Sequence, residues 1–325
     1  MGFNRSVLDF DVEKVTIQLV DFIRDQVTGT FKRKGIVIGL SGGIDSAVAG
    51  ALSVRALGAD RVFGVLLPEK DSNPVSREYG RFAAESLGIE YKEIEISPML
   101  ESFGVYDVRN DIVRNYFPDH RDDGKFRLTL PQDLLDRDRI SAYSLEVEMP
   151  DGNIESKRLS RNDYLTMMAA NDIKQRVRMT QLYYHAEKLH YIVCGTTNLP
   201  ETIQGFFVKF GDGGVDIEPL TNLYKTQVFK LGKYLGVPQE ILDRTPSPDT
   251  YSLPVSDKDF YFCMSYDMAD MILYALRNNI SREETAEALG LTPEQVVRAW
   301  KDYERKEEAT AMLRSMPPAP ELVMK

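Results

Sequence analysis

The chain has 325 residues, 43% of them apolar and 28% charged, with a formal charge of −10. That length supports one large or two moderate domains with a real core. The acidic balance argues against a general nucleic-acid surface, so any anionic ligand must be met by locally clustered Lys and Arg. No apolar run approaches a membrane span, and residues 1–10 lack the charged start and apolar core of a signal peptide. The expected compartment is therefore the cytoplasm. Cys194 and Cys263 lie far apart between apolar neighbours and read as buried, reduced thiols. His120, His185 and His190 show no zinc-ligand spacing.

In chain order, residues 12–28 carry apolar side chains at a helical period, from Val12 and Val15 to Ile23 and Val27. The apolar run Gly35-Ile36-Val37-Ile38-Gly39 reads as a buried strand. It runs directly into Leu40-Ser41-Gly42-Gly43-Ile44-Asp45-Ser46 and then into a helix over 45–57. Strand, glycine turn and helix start in that order form an anion cradle. Glycines let the backbone approach without a Cβ in the way, and the first-turn N–H groups point at the ligand. Ser41 and Ser46 add hydroxyls. Asp45 would repel a bare phosphate and makes most sense with a divalent cation between them. No Gly-Lys-Ser/Thr closes the turn, so this is not a Walker loop.

A second strand follows at 61–67, a helix at 76–87 stopped by Gly88, and a third strand at 89–96. Strands alternating with helices imply a parallel sheet, with ligands outside the carboxyl ends of the strands. Residues 104–160 break this rhythm. They are rich in charge (Asp107, Arg109, Asp111, Arg114) and contain a hairpin, 143–148 and 154–159, around Pro150-Asp151-Gly152-Asn153. We expect this insertion to be a lid or interface arm. Residues 161–188 read as one long helix and 191–195 as the fourth strand. Helices follow at 224–235, 266–278, 281–289 and 293–307, and Ser281-Arg282-Glu283-Glu284 is a capping box.

Gly195-Thr196-Thr197-Asn198 ends the fourth strand, and Glu201, the run GFFVKFGDGGVDIEPL from Gly205, and Leu223-Tyr224-Lys225-Thr226-Gln227 follow. The SGGIDS loop resembles the pyrophosphate loop of the N-type ATP pyrophosphatases. With the IKQRVRM helix, GTTN and its following Glu, LYKTQV, LGVPQEIL and the PSPD segment, all in family order, the chain resembles the NAD synthetases. The resemblance implies an adenine-nucleotide α-hydrolase-like, Rossmann-like α/β fold: a core over 1–250 with a helical extension over 251–325. It implies ammonia-dependent amidation of nicotinic acid adenine dinucleotide, through an acyl-adenylate, with release of AMP and pyrophosphate. A homodimer is expected, with magnesium as cofactor and no nucleic-acid or membrane partner. The helix stripe of Tyr164, Met167, Met168, Leu182 and Tyr183 is an interface candidate equally well read as core.

Residue by residue, the resemblance assigns Ser41, Gly42, Gly43 and Ser46 to the ATP phosphates, with Thr196, Arg178 and Lys225 also on ATP. Asp45, Glu201 and Ser247 match the metal residues. Arg176, Lys209, Asp212 and Asp216 match the dinucleotide site, and Asp45, Lys225 and Asp212 form the catalytic set. Asp45→Asn is expected to lose most activity with little effect on stability. Taken alone, Asp212-Gly213-Gly214 is also a turn sequence, and Phe206-Phe207 reads better as core than as a stacking platform. Arg176 and Arg178 point about 200° apart around a helix and cannot share a contact. Leu199-Pro200, Asp172 and residues 250–255 depart from the family wording. An ATP pyrophosphatase amidating a different carboxylate is therefore the alternative, and a non-catalytic nucleotide-binding protein the third.

Overall fold

A computed structural model describes residues 2–121, 123–138 and 142–320. Helix α1 (Val12–Arg24) starts at Asp11, whose carboxylate accepts from the Lys14 N–H. Strand β1 (Ile36–Gly39) leads through the glycine loop into α2 (Ile44–Leu57). Strand β2 (Val62–Leu66) precedes α3 (Pro74–Leu87), which is capped by Asn73 and ends at left-handed Gly88, and β3 (Glu90–Glu93) follows.

The charge-rich insertion is far more regular than its sequence suggests. Helix α4 (Ser97–Ser102) precedes it, and it holds α5 (Val105–Tyr116), β4 (Phe126–Thr129), β5 (Ser144–Glu148) and β6 (Ile154–Arg158). The last two strands are the expected hairpin. Of this stretch, Asp122 and residues 139–141 lie outside the described residues. After it come α6 (Arg161–Leu189), β7 (Ile192–Cys194), α7 (Leu199–Gln204), α8 (Lys225–Leu235) and α9 (Gln239–Leu242). The chain then runs through α10 (Tyr266–Arg277), α11 (Arg282–Leu289), α12 (Pro293–Ala309) and α13 (Ala311–Arg314).

The main sheet has the order β3-β2-β1-β7, with every pair parallel. Period-two alternation sorts its side chains between two layers. Ile36, Ile38, Val62, Leu66, Ile192 and Cys194 face the cluster built with α1, α2 and α8. Val37, Val65 and Val193 face the opposite cluster, built with α4, α5 and α6. Both faces are thus covered by helices, as an all-parallel sheet requires.

The second sheet is antiparallel, ordered β4-β5-β6. Strand β5 lies in its middle, and Leu145 and Val147 are buried against Met167 of α6. This strand is core rather than a detachable arm; β6 is the exposed edge. The stripe on α6 is likewise core: Met167 is buried, and Tyr164, Met168, Leu182 and Tyr183 pack against buried clusters. The large apolar side chains that α6 does expose are Leu165 and Tyr184, at 51% and 57%. Helices α10, α11 and α12 share a cluster with Phe3, Leu8, Leu199 and Tyr224.

Candidate active site

The carboxyl ends of β1 and β7 open into a cleft of about 410 Å³. One rim is the glycine loop. Gly42 has φ +74°, and a Cβ there would stand 2.5 Å from the Ser76 carbonyl oxygen. Gly43 caps α2 without a side-chain hydrogen bond. The first-turn N–H groups of a helix are left without intrahelical partners, and the macrodipole adds positive potential. Ser46 Oγ donates to the Gly43 carbonyl at 3.0 Å and lies 3.2 Å from Ser41 Oγ, so both hydroxyls sit at the turn.

Behind the loop lies a buried acid–lysine centre. Lys225, 1% exposed at the start of α8, donates through Nζ to Asp45 Oδ2 at 2.6 Å and to Glu201 Oε1 at 3.2 Å. A cation in a first helical turn opposes the dipole; two carboxylates at contact distance outweigh that. Burial alone would lower the Lys225 pKa, but Asp45 and Glu201 raise it above its ordinary value. Burial raises Glu201, and Lys225 partly offsets this. Glu201 is held by local helix chemistry. Asn198 caps α7 by accepting from the Glu201 N–H at 3.3 Å, while Glu201 Oε2 accepts from the Asn198 N–H at 3.2 Å. Pro200 in the first turn suits such a start. Asn198 Nδ2 also donates to Asp45 Oδ1 at 3.1 Å, joining both carboxylates to one cap.

Ser41, Gly43, Asp45, Ser46, Arg178, Thr196, Glu201, Asp212, Lys225 and Ser247 all line the cleft. Arg178 donates through Nε to the Leu67 carbonyl at 3.2 Å. Asp212 keeps an exposed surface, its Oδ1 accepts from the Val208 N–H at 2.8 Å, and desolvation by the chain around the carboxylate pushes its pKa up to about 6. Three expected substrate residues are absent from the lining. Arg176 points outward from α6, 3.8 Å from Asp172. Lys209 Nζ donates to the carbonyls of Met312 at 2.7 Å and Ser315 at 2.9 Å. Asp216 accepts from the Val193 N–H at 2.8 Å and the Tyr183 hydroxyl at 3.1 Å. Phe206 stacks on Tyr261, ring centres 4.7 Å apart, and both line the cleft.

Asp257 and Arg244 also line the cleft and escaped the sequence reading. Asp257 is 4% exposed; its Oδ2 accepts from the Tyr266 hydroxyl at 2.8 Å, and its buried Oδ1 has no partner among the described residues. Arg244 donates to the Gly42 carbonyl at 3.1 Å. Neither stands in a pattern that spacing could flag. Asp45, Glu201 and Asp257 set against Lys225 leave the centre acidic. That composition suits a hard divalent cation, which takes oxygen donors and commonly only one or two carboxylates, with phosphate and water completing its shell. No three His, Cys, Asp or Glu side chains among the described residues are arranged to hold an ion by themselves.

A family model described as NAD synthase matches residues 15–117 and 133–310. The NH(3)-dependent NAD(+) synthetase of Mesorhizobium japonicum is 42% identical, over 96% of this chain and 97% of that protein. The protein of the same name from Thermotoga maritima is 40% identical, over 80% of this chain and 86% of its own length. Among solved structures, the NMN synthetase of Francisella tularensis superposes with a TM-score of 0.64 at 26% identity, covering 97% of this chain and all of its own. The NH3-dependent NAD synthetase of Campylobacter jejuni gives 0.63 at 23% identity over 96% and 100%, a likeness of fold.

Proposed function

The chain belongs to the NAD synthase family, and from that premise we propose that it amidates nicotinic acid adenine dinucleotide to NAD with ammonia at the expense of ATP. A carboxylate is a poor electrophile, so the dinucleotide is first adenylated on the ATP α-phosphate. Ammonia then displaces AMP from the acyl-adenylate, the pyrophosphate having left in the first step. The observation that carries this reading is the glycine loop at 41–46 joined through Asp45 to the Asp45–Lys225–Glu201 centre in one cleft, in a chain 42% identical over 96% of its length to an NH(3)-dependent NAD(+) synthetase.

In this reading Ser41, Gly42, Gly43 and Ser46 hold the β- and γ-phosphates through backbone N–H and hydroxyl donors. Thr196, Arg178 and Lys225 complete the nucleotide side. Asp45, Glu201 and Ser247 would hold magnesium, which lowers the charge of the polyphosphate and of the departing pyrophosphate. Asp212 accepts the proton released as nitrogen bonds to the acyl carbon; its raised pKa of about 6 suits that role near neutral pH. Positioning and charge stabilisation supply most of what such a transfer needs.

Arg176, Lys209 and Asp216, outside the cleft lining, would serve the dinucleotide where it extends beyond one subunit of a homodimer. The exposed Leu165 and Tyr184 on α6 are candidates for that contact. We take residues 1–250 as the α/β core, 251–325 as its helical extension, and the cytoplasm as the compartment.

The test is release of AMP and pyrophosphate from ATP–Mg, with ammonium and nicotinic acid adenine dinucleotide present or omitted. Release that depends on the dinucleotide, with NAD formed in equal amount, is expected. The likeness to the NMN synthetase makes nicotinic acid mononucleotide the competing acceptor. Turnover with the mononucleotide and none with the dinucleotide would reassign the substrate while keeping the ATP site.

A further inference from the structure

Among the described residues four basic side chains line the cleft: Arg77, Arg178, Lys225 and Arg244. Two are spent on carboxylates, since Lys225 serves Asp45 and Glu201 and Arg77 pairs with Glu93. Arg178 is engaged by the Leu67 carbonyl and by Gln175 Oε1 at 3.4 Å. Arg244 stands at the glycine loop itself. Its NH1 donates to the carbonyls of Gly42 at 3.1 Å and Ser41 at 3.4 Å, and its NH2 to Ser76 Oγ. It has no carboxylate within ion-pair distance among the described residues.

This placement has two consequences. The two carbonyls of the turn, whose lone pairs would repel an anion, are tied to a guanidinium. The left-handed turn at Gly42, which a Cβ could not share with the Ser76 carbonyl, is fastened to α3 through the same side chain. Arg244 also brings a positive charge that no acid among the described residues pairs with. Arg178 also lacks an ion pair among them but is held at the Leu67 carbonyl rather than at the loop, and Lys225 is outnumbered by Asp45, Glu201 and Asp257. A guanidinium has five N–H donors in a rigid fork, so two remain after these contacts.

We infer that Arg244 is the pyrophosphate-binding cation of this cleft. It presets the glycine loop and presents its remaining N–H groups to the β- and γ-phosphates of ATP and to the pyrophosphate that leaves. This deepens the reading above and rests on it only in taking ATP to be cleaved to AMP and pyrophosphate.

Calorimetric titration of the full-length wild type, Arg244→Gln and Arg244→Lys with magnesium pyrophosphate, and separately with AMP, tests it without any acceptor. Arg244→Gln should bind pyrophosphate about tenfold more weakly, the scale of a lost charge-assisted pair, with AMP affinity unchanged. Arg244→Lys, keeping the charge without the fork, should recover part of the loss. In turnover, the KM for ATP and the Ki for pyrophosphate should rise together while the KM for the acceptor stays. Equal pyrophosphate affinity in wild type and Arg244→Gln overturns the assignment, as does a loss shared with AMP, which marks a collapsed pocket. Failure to form NAD would leave this titration readable, so the two readings fall separately.

Discussion

Lys225 and Asp45, 180 residues apart in sequence, meet through a 2.6 Å hydrogen bond that joins the first turn of α8 to the first turn of α2. The contact changes what a substitution at Asp45 does. The sequence alone expects Asp45→Asn to cost activity and leave stability untouched, because the residue would serve only a metal. In the fold it also compensates a fully buried ammonium. Asp45→Asn should lower kcat about 100-fold or more, on the scale of removing charge stabilisation from a transfer step. It should also cost about 1–3 kcal/mol of stability, as expected for weakening a buried charged hydrogen bond. Initial rates and urea midpoints measure both, and a kcat within twofold of wild type would remove Asp45 from the chemistry.

Gly42 gives a sharper test of the loop, because its backbone has φ +74° and its missing Cβ would clash with the Ser76 carbonyl. Gly42→Ala should raise the KM for ATP and lower stability by at least the ~1–2 kcal/mol that a left-handed residue with a Cβ costs. Gly88→Ala is the control. Its φ is +65° with nothing near the added Cβ, so it bears the backbone cost and leaves the ATP KM alone. Equal kinetics in the two variants would mean that the turn does not shape the ATP site.

The contrast between these residues explains how much was legible beforehand. The glycine loop is local, since its strand, turn and helix start are contiguous, and periodicity with turn chemistry finds all three. The capping box that fixes Glu201 is equally local. Lys225 is placed by tertiary structure, and only the family resemblance brought it to Asp45. Arg244 and Asp257 had neither kind of signal. The insertion misled for a different reason: its run of charges was read as a break in the α/β rhythm. Arg109 on α5 is buried against Asp71, and Lys174 on α6 is buried against Glu69 at 2.8 Å and Asp71 at 3.0 Å. Charges paired in the interior break an apolar period without breaking the helix, so α5 was missed.

Asp212 yields a pH prediction. Desolvation by the chain around it raises its pKa to about 6, so it is largely protonated below that pH and a carboxylate above it. If it takes the proton from the nitrogen nucleophile, kcat/KM for ammonia should rise through about pH 6 and then level, once corrected for the fraction of free ammonia. Asp212→Asn should erase that limb and lower the plateau by about 100-fold, the lower range for a positioned general base. A limb that persists in the variant would assign it to another group.

Asp270 tests the same physics away from the cleft. This α10 side chain is fully buried; Oδ2 accepts from the Thr226 N–H at 2.8 Å, while Oδ1 has no partner among the described residues. Burial, only partly offset by that hydrogen bond, raises its pKa from 3.8 to about 6. The sign follows from linkage. Between those two values the folded chain holds a proton that the unfolded chain has released, so stability falls as pH rises through that window. Below 3.8 both states are protonated and no penalty exists; above about 6 it is fully developed. At about 1.4 kcal/mol per pKa unit the penalty is of order 3 kcal/mol. Asp270→Asn removes the titration. Its stability relative to wild type should therefore improve by about 2–3 kcal/mol between pH 4 and pH 8, whatever constant offset the amide introduces. Urea unfolding at the two pH values measures this difference of differences, and a gap that does not change with pH would mean that Asp270 ionises in the fold as readily as in the unfolded chain.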